Sequence, residues 1–260
     1  MVKRTAEIRS DIAWSTPDRI VVRGRELTAD IIGKVDLGGM AFLTLTGRLP
    51  KENEARLFNA IAVTLVEHGI TPSVIAARMT YMGAPEAMQA AVGAGLAGLG
   101  SVFVGSIEGV ARYVQEGLAT QGAKSVAGVA ASIVAEYRAA KRPVPGIGHN
   151  QHKGGDPRVA RLFAIAGECG LAANEIALVE AVAAAAEKAT GRSLPINATG
   201  AIGAISSGLG IPWKAARGIG VMARAIGLVG HLLEEAENPI AYEVWQRTEE
   251  EASAHLRPKG

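Results

Sequence analysis

Polar and apolar positions along most of this chain repeat with the 3.6-residue period of amphipathic helices. Residues 52–69, ENEARLFNAIAVTLVEHG, place Leu57, Ile61 and Leu65 on one face and end in Gly69, a helix-stop residue. Residues 71–82, TPSVIAARMTYM, open with Thr71 as a candidate N-cap and Pro72 at the first helical position. The same period predicts helices over 85–99, 107–119, 123–141, 156–169, 173–189, 198–208, 212–235 and 239–255. Strand character is confined to RIVVRG, Arg19 to Gly24, as half of a small hairpin. Strands and helices do not alternate, which argues against a doubly wound sheet. The expected fold class is all-α.

Two breaks interrupt the helices: KRPVPGIGHNQHKGGDP at 141–157 and GRSLPINATGAIG at 191–203. Loops of that length inside a helical domain tend to carry function. The first gathers His149, His152, Lys153, Asp156 and Arg158 among four glycines, Gly146, Gly148, Gly154 and Gly155. Taken alone it has two readings. It is a charged surface connection, or it is an anion site in which glycine backbone approaches a ligand, Arg158 holds a carboxylate and a histidine moves a proton. Upstream, Arg138, Lys141 and Arg142 in YRAAKRP add a basic approach suited to a phosphate-bearing ligand.

Composition narrows the partners. The 260 residues are 48% hydrophobic and 20% charged, enough for a substantial core, and a net charge of +2 argues against a nucleic-acid partner. Cys169, in the apolar run AIAGECGLAA, is the one cysteine. It is read as a packed thiol in a cytoplasmic protein. The opening MVKRTAEIRSDIAW has no apolar run of signal-peptide length. Residues 91–110, AVGAGLAGLGSVFVGSIEGV, have the length of a membrane span. Their many small residues and Glu108 point instead to tightly crossed core helices, so no membrane is expected. GAGLAGLG has neither a preceding strand nor a following lysine, which removes the dinucleotide and P-loop readings. His149 and His152 stand three apart in a loop without a nearby cysteine, and no metal site is expected.

Several stretches together resemble the citrate synthase family, and in particular its citryl-CoA lyase branch, which includes the C-terminal module of ATP-citrate lyase. They are residues 26–73 (ELTADIIGKVDLGGMAFLTLTGRLPKENEARLFNAIAVTLVEHGITPS), PGIGHNQHKGGDPR at 145–158 and IGVMARAIGLVGHLLEE at 219–235, in the family's order over nearly the whole chain. The resemblance implies an all-α enzyme with a large domain, here 1–111 and 203–260, and a smaller one, 112–202, carrying the glycine-histidine loop. It implies a homodimer, or a dimer of dimers, closing on an acyl-CoA. Coenzyme A would enter as part of the substrate, with no prosthetic group.

Residue by residue, His149 takes the place of the histidine that hydrogen-bonds the oxaloacetate carbonyl or the citryl hydroxyl. Arg158 and Arg224 take the places of carboxylate-binding arginines, and His68 that of a substrate-side histidine. His231 is read as mainly structural. Pro145, Gly146, Ile147, Gly148 and Lys153 would belong to the coenzyme A site.

The departures matter as much. Citrate synthases carry LHGGAN, whose histidine stabilises the thioester enol; this chain has VFVGSIEG, with Phe103 in that place. Citryl-CoA lyases carry RFGGAL, so phenylalanine favours the lyase branch. Where the family has its catalytic aspartate in NVDGLIG, INATGAIG supplies Thr199, whose hydroxyl donates a hydrogen bond but is too weak an acid to shuttle a proton. His152 and Thr199 are the candidates for the missing role. The arginine lent by a neighbouring subunit has only Arg247 as a candidate. The expected reaction is retro-Claisen cleavage of citryl-CoA to acetyl-CoA and oxaloacetate. The alternatives are a different 3-hydroxyacyl-CoA with fewer carboxylates, or an inactive CoA-binding paralogue.

Overall fold

A computed structural model describes residues 8–148 and 155–257. The chain opens with a small antiparallel sheet in the order β1 (Ala13–Ser15), β2 (Ile20–Val22), β3 (Arg25–Glu26). Arg23 and Gly24 turn β2 into β3 with φ of 50° and 77°, the positive pair that a two-residue hairpin requires. Val22 anchors this sheet on Ile31 and Leu43. The strand expected at 19–24 is thus the middle one of three.

Eleven α-helices follow among the described residues: α1 (Leu37–Thr46), α2 (Glu52–Val66), α3 (Pro72–Gly83), α4 (Met88–Ala97), α5 (Gly105–Ala119), α6 (Val126–Ala139), α7 (Pro157–Cys169), α8 (Ala173–Thr190), α9 (Ala198–Gly208), α10 (Trp213–Glu237) and α11 (Ala241–Ser253). The helical periods located nearly all of them. α1 is not among those located, and several helices start or stop two or three residues inside the expected limits, α4 beginning at Met88 and α6 at Val126. α2 stops at Val66 because Glu67 turns extended and folds its carboxylate onto the N–H groups of His68 and Gly69. Thr71 stands at the N-cap of α3, yet its hydroxyl pairs with Ser73 Oγ at 3.0 Å and makes no cap bond.

α9 is the centre of the molecule, with every residue from Gly200 to Ser206 buried. On one side Ala201, Ile202 and Ile205 join a core with Phe42, Phe58 and Ile61 of the N-terminal helices, Leu162 and Ala166 of α7 and Ile219 of α10. On another, Ala204 joins a second core built from Val110 and Val114 of α5, Val129 and Val134 of α6, and Leu178 and Val182 of α8. α7, though inside 112–202, buries its apolar face in the first core. α10 is the one described helix long and apolar enough to cross a membrane, and it buries Ile219, Leu228 and Leu232 against its neighbours.

The membrane-length stretch 91–110 is divided between α4 and α5. Its small residues let helices touch: a Cβ on Gly95 would lie 2.8 Å from both Leu228 Cδ1 and the Ser73 carbonyl. A close crossing joins α9 to α5, where a Cβ on Gly203 would lie 2.5 Å from Val110 Cβ and 2.9 Å from the Ile107 carbonyl. Gly203→Ala is therefore expected to destabilise the protein by about 2–3 kcal/mol. Gly218→Ala, in open space on α10, should stabilise it by about 0.5–1 kcal/mol. Urea unfolding midpoints of the two variants check this; a neutral Gly203→Ala would mean that the crossing is not tight.

Candidate functional site

The two sequence breaks meet. Ile147 and Ile196 form an isolated antiparallel bridge, flanked by Gly148 N–H donating to Pro195 O at 2.7 Å and Asn197 N–H donating to Gly146 O at 3.0 Å. Asn197 Nδ2 adds a bond to Gly148 O at 2.7 Å. The chains approach closely enough that a Cβ on Gly146, whose φ is 76°, would lie 2.6 Å from Gly200 Cα. These glycines are needed for backbone packing. Gly148 N–H, read from sequence as open to a ligand, is taken by Pro195.

Asn197 also caps α9. Its Oδ1 accepts from Gly200 N at 3.2 Å and from the Thr199 hydroxyl at 2.6 Å. Thr199 Oγ1 in turn lies 2.8 Å from Ser106 Oγ, at the start of α5. Two residues before α5, Phe103 is half exposed, and its carbonyl is 2.7 Å from the same Ser106 hydroxyl. The Phe103 carbonyl and the Thr199 hydroxyl thus share the Ser106 hydroxyl as a partner.

Asp156 caps α7. Its Oδ1 accepts from Arg158 N at 3.1 Å and Arg158 Nε at 2.9 Å, and its Oδ2 accepts from Arg158 Nη2 at 2.7 Å and from Ala198 N, at the head of α9, at 3.1 Å. Burial pushes this carboxyl up, but the Arg158 hydrogen bonds and charge, with the Ala198 N–H, outweigh it and hold it at about 2. Arg158, expected to clamp a ligand, is here oriented by Asp156.

A second cluster joins the end of α2 to α10. Arg224 is 8% exposed, and its Nε and Nη1 are buried without a hydrogen-bond partner. Burial lowers its pKa, and Glu67, with Oε1 3.8 Å from Nη1, opposes the shift. A buried guanidinium with open donors is suited to a ligand carboxylate. Glu67 Oε1 accepts from His68 N at 2.8 Å, and Oε2 lies 3.0 Å from His231 Nε2. Arg78 donates to His231 Nδ1 at 2.9 Å, which places the imidazole proton on Nε2, facing Glu67. Arg78, 2% exposed, also pairs with Glu234 and with Glu235, and Glu235 accepts from the first N–H groups around α11. The structural reading of His231 agrees with these bonds.

Between α5, α6 and residues 142–148 lies a cleft of about 1290 Å³. Pro145 to Gly148, Ser106 and Asn197 line it, as do Arg112, Lys124, Arg142 and Arg217. Of the basic approach expected at Arg138, Lys141 and Arg142, Arg142 reaches it and lies over the Tyr137 ring at 5.3 Å. Arg112 and Arg217 pair with Glu116 and Glu108, each at 2.9 Å. Arg247 is exposed on α11 and pairs with Glu243. His149, His152 and Lys153 lie outside the described residues. Sequence reasoning passed over Asp156 as more than a loop charge, and over Glu67, Arg78 and Ser106. Arg78, a lone cation in an otherwise apolar helix, was the one with a visible signal.

Fold and site define a mainly helical protein whose cleft runs to the N-termini of α5 and α9, with a separate arginine-centred cluster between α2 and α10. The chain belongs to the citrate synthase family: residues 23–243 match the model described as "Citrate synthase, C-terminal domain". It is similar to the citryl-CoA lyase from Hydrogenobacter thermophilus, at 34% identity and a TM-score of 0.80 over 88% of this chain and 86% of that one. An ATP citrate lyase from Methanosaeta concilii, solved as a D541A mutant with (3S)-citryl-CoA, aligns at 21% identity and a TM-score of 0.70, covering 91% of this chain and 40% of that one. Citrate synthase from Thermotoga maritima MSB8 aligns at 19% identity and a TM-score of 0.62, over 77% and 54% of the two chains. A search of curated protein sequences gives no match.

Asp156 gives a pH-dependent prediction. A folded-state carboxyl at about 2, below its unfolded value, contributes about 2 kcal/mol of stability at neutral pH, all of it present above about pH 4. That contribution is lost as pH falls from about 4 to 2. Asp156→Asn should therefore unfold at lower urea than the parent at pH 7, with the gap narrowing steadily below pH 4. A constant gap would assign the stabilisation to something other than the charge.

Proposed function

We propose that this chain is a carbon–carbon lyase that cleaves citryl-CoA to acetyl-CoA and oxaloacetate by a retro-Claisen reaction. The observation that carries this reading is the 34% identity to a citryl-CoA lyase over almost the full length of both chains. The cleft beside Pro145 to Gly148 supports it, being long, walled by Tyr137 and Trp213, and supplied with cations for a phosphate-bearing handle.

In this reading His149 takes the proton of the citryl hydroxyl as the bond between its carbon and the thioester α-carbon breaks. Arg158 and Arg224 hold the keto-acid carboxylates, with His68 on the same side. Each desolvated, charge-assisted pair is worth about 1.5–3 kcal/mol. Lys153 and the 145–148 backbone hold coenzyme A, and His152 is the candidate for returning the proton to the enolate carbon. The small unit 112–202 would close on the large one in a cytoplasmic homodimer. Ile226, Val229 and Leu233, exposed on one stripe of α10, are the apolar surface that supports a dimer.

A second reading keeps the chemistry and changes the acyl group. Arg158 already shares its fork with Asp156, which favours a substrate with fewer carboxylates.

The deciding experiment supplies citryl-CoA and couples released oxaloacetate to reduction by malate dehydrogenase. Turnover is expected in the parent protein. His149→Ala should lower it by about 10²–10⁴-fold while coenzyme A binding, measured by calorimetry, persists. Binding of coenzyme A without citryl-CoA turnover would favour the second substrate class or an inactive paralogue.

A further inference from the structure

The reaction must stabilise the negative charge that moves onto the thioester oxygen when the carbon–carbon bond breaks. Phe103 has no donor for this, and Thr199 is not among the residues that line the cleft. Ser106 does line it, and it touches Thr199. Both motif forms quoted above, LHGGAN and RFGGAL, place alanine where this chain has Ser106. Two substitutions 93 positions apart, alanine to Ser106 and aspartate to Thr199, therefore meet at 2.8 Å.

The direction of the hydrogen bonds is fixed by the amide. Asn197 Nδ2 faces the Gly148 carbonyl, and Oδ1 faces Gly200 N–H. Oδ1 is thus the acceptor for Thr199, whose single proton is engaged there at 2.6 Å. The proton between Ser106 and Thr199 consequently belongs to Ser106, which also has the Phe103 carbonyl as an alternative acceptor at 2.7 Å. A hydroxyl with two exchangeable acceptors and a face on the cleft can turn its proton to a ligand oxygen. When it does, Thr199 can turn its own proton to Ser106 Oγ, since Asn197 Oδ1 keeps Gly200 N–H, and the chain of hydroxyls strengthens the outer bond. α5 adds to this: its N-cap, Val104, makes no side-chain cap bond, and Ser106 is its second residue, where a helix favours negative charge.

We propose that Ser106 is a catalytic residue, donating its hydrogen bond to the thioester oxygen as the enolate forms, and that Thr199 is the positioning residue behind it. The inference rests on the citryl-CoA reading above. The citryl hydroxyl gives its proton to a base, and the electron pair of the carbon–carbon bond moves to the thioester as an enolate. Oxaloacetate leaves with its new carbonyl, and the proton returns to the enolate carbon. Ser106 keeps its own proton throughout, and no further reactant enters.

The test measures kcat and KM for citryl-CoA in the full-length protein. Ser106→Ala should lower kcat about 10²–10³-fold, the usual effect of removing an oxyanion donor, with KM little changed. Ser106→Thr, which keeps the hydroxyl, should recover most of kcat. Thr199→Val should lower kcat about tenfold, and Thr199→Ser should restore it. Thermal unfolding of each variant separates lost folding from lost chemistry: a purely structural role lowers the unfolding temperature along with kcat, whereas a lost oxyanion donor lowers kcat at an unchanged unfolding temperature. Parental kcat in Ser106→Ala overturns this proposal and leaves the lyase reading intact. Absence of citryl-CoA cleavage by the parent protein overturns both.

Discussion

The carboxylate of Asp156 is the constraint on which the site depends. With its side chain fully buried, it accepts three bonds from Arg158 and one from Ala198, so a single anion fixes the heads of α7 and α9 together. Two helix N-termini aimed at one carboxylate favour its charge, and Arg158 completes the neutralisation. The arrangement also fixes where the Arg158 guanidinium points before any ligand arrives. Preorganising a guanidinium in this way removes part of the entropy that a free arginine would lose on binding an anion.

From that anchor the rest follows by contact. α9 is held at its head by Asp156 and Asn197 and along its length by two cores, so its N-terminus cannot move independently of the 145–148 backbone bonded to it. The absence of side chains at Gly146 and Gly200 is what allows the two loops to meet. A comparable rigid frame surrounds Arg224. Arg78, His231 and Glu67 form a bonded series that ends beside it, and Glu235 ties the same series to α11.

The helices and most of their limits were legible in the sequence, because an amphipathic period of eleven or more residues states both the element and its buried face. The glycine-histidine loop and the arginines stood out for their chemistry. What the sequence hid was pairing at a distance. Arg78 and Glu235 are 157 positions apart, Ser106 and Thr199 are 93, and Asp156 and Ala198 are 42. No local pattern encodes which polar side chains a helical packing brings into contact. Thr71 illustrates the opposite failure: a good N-cap by residue type and position, it bonds the Ser73 hydroxyl and leaves the helix N–H groups uncapped.

In the proposed reading, threonine in place of aspartate at position 199 changes what the site must do with charge. An aspartate beside α9 could carry a proton, whereas a threonine can only share one, so proton transfer and charge stabilisation have to be divided between different groups. In the same reading the first task falls to the histidines of the 145–158 stretch. The hydroxyl pair is suited to the second, since its oxygens are held in place by Asn197 and α5 and only the protons need turn during the reaction. A neutral donor also places no second negative charge next to a developing enolate, which a carboxylate at 199 would do until it was protonated. On that physical ground the serine–threonine pair is an alternative solution to the same electrostatic problem, and the departure from the family's aspartate is compatible with a working enzyme.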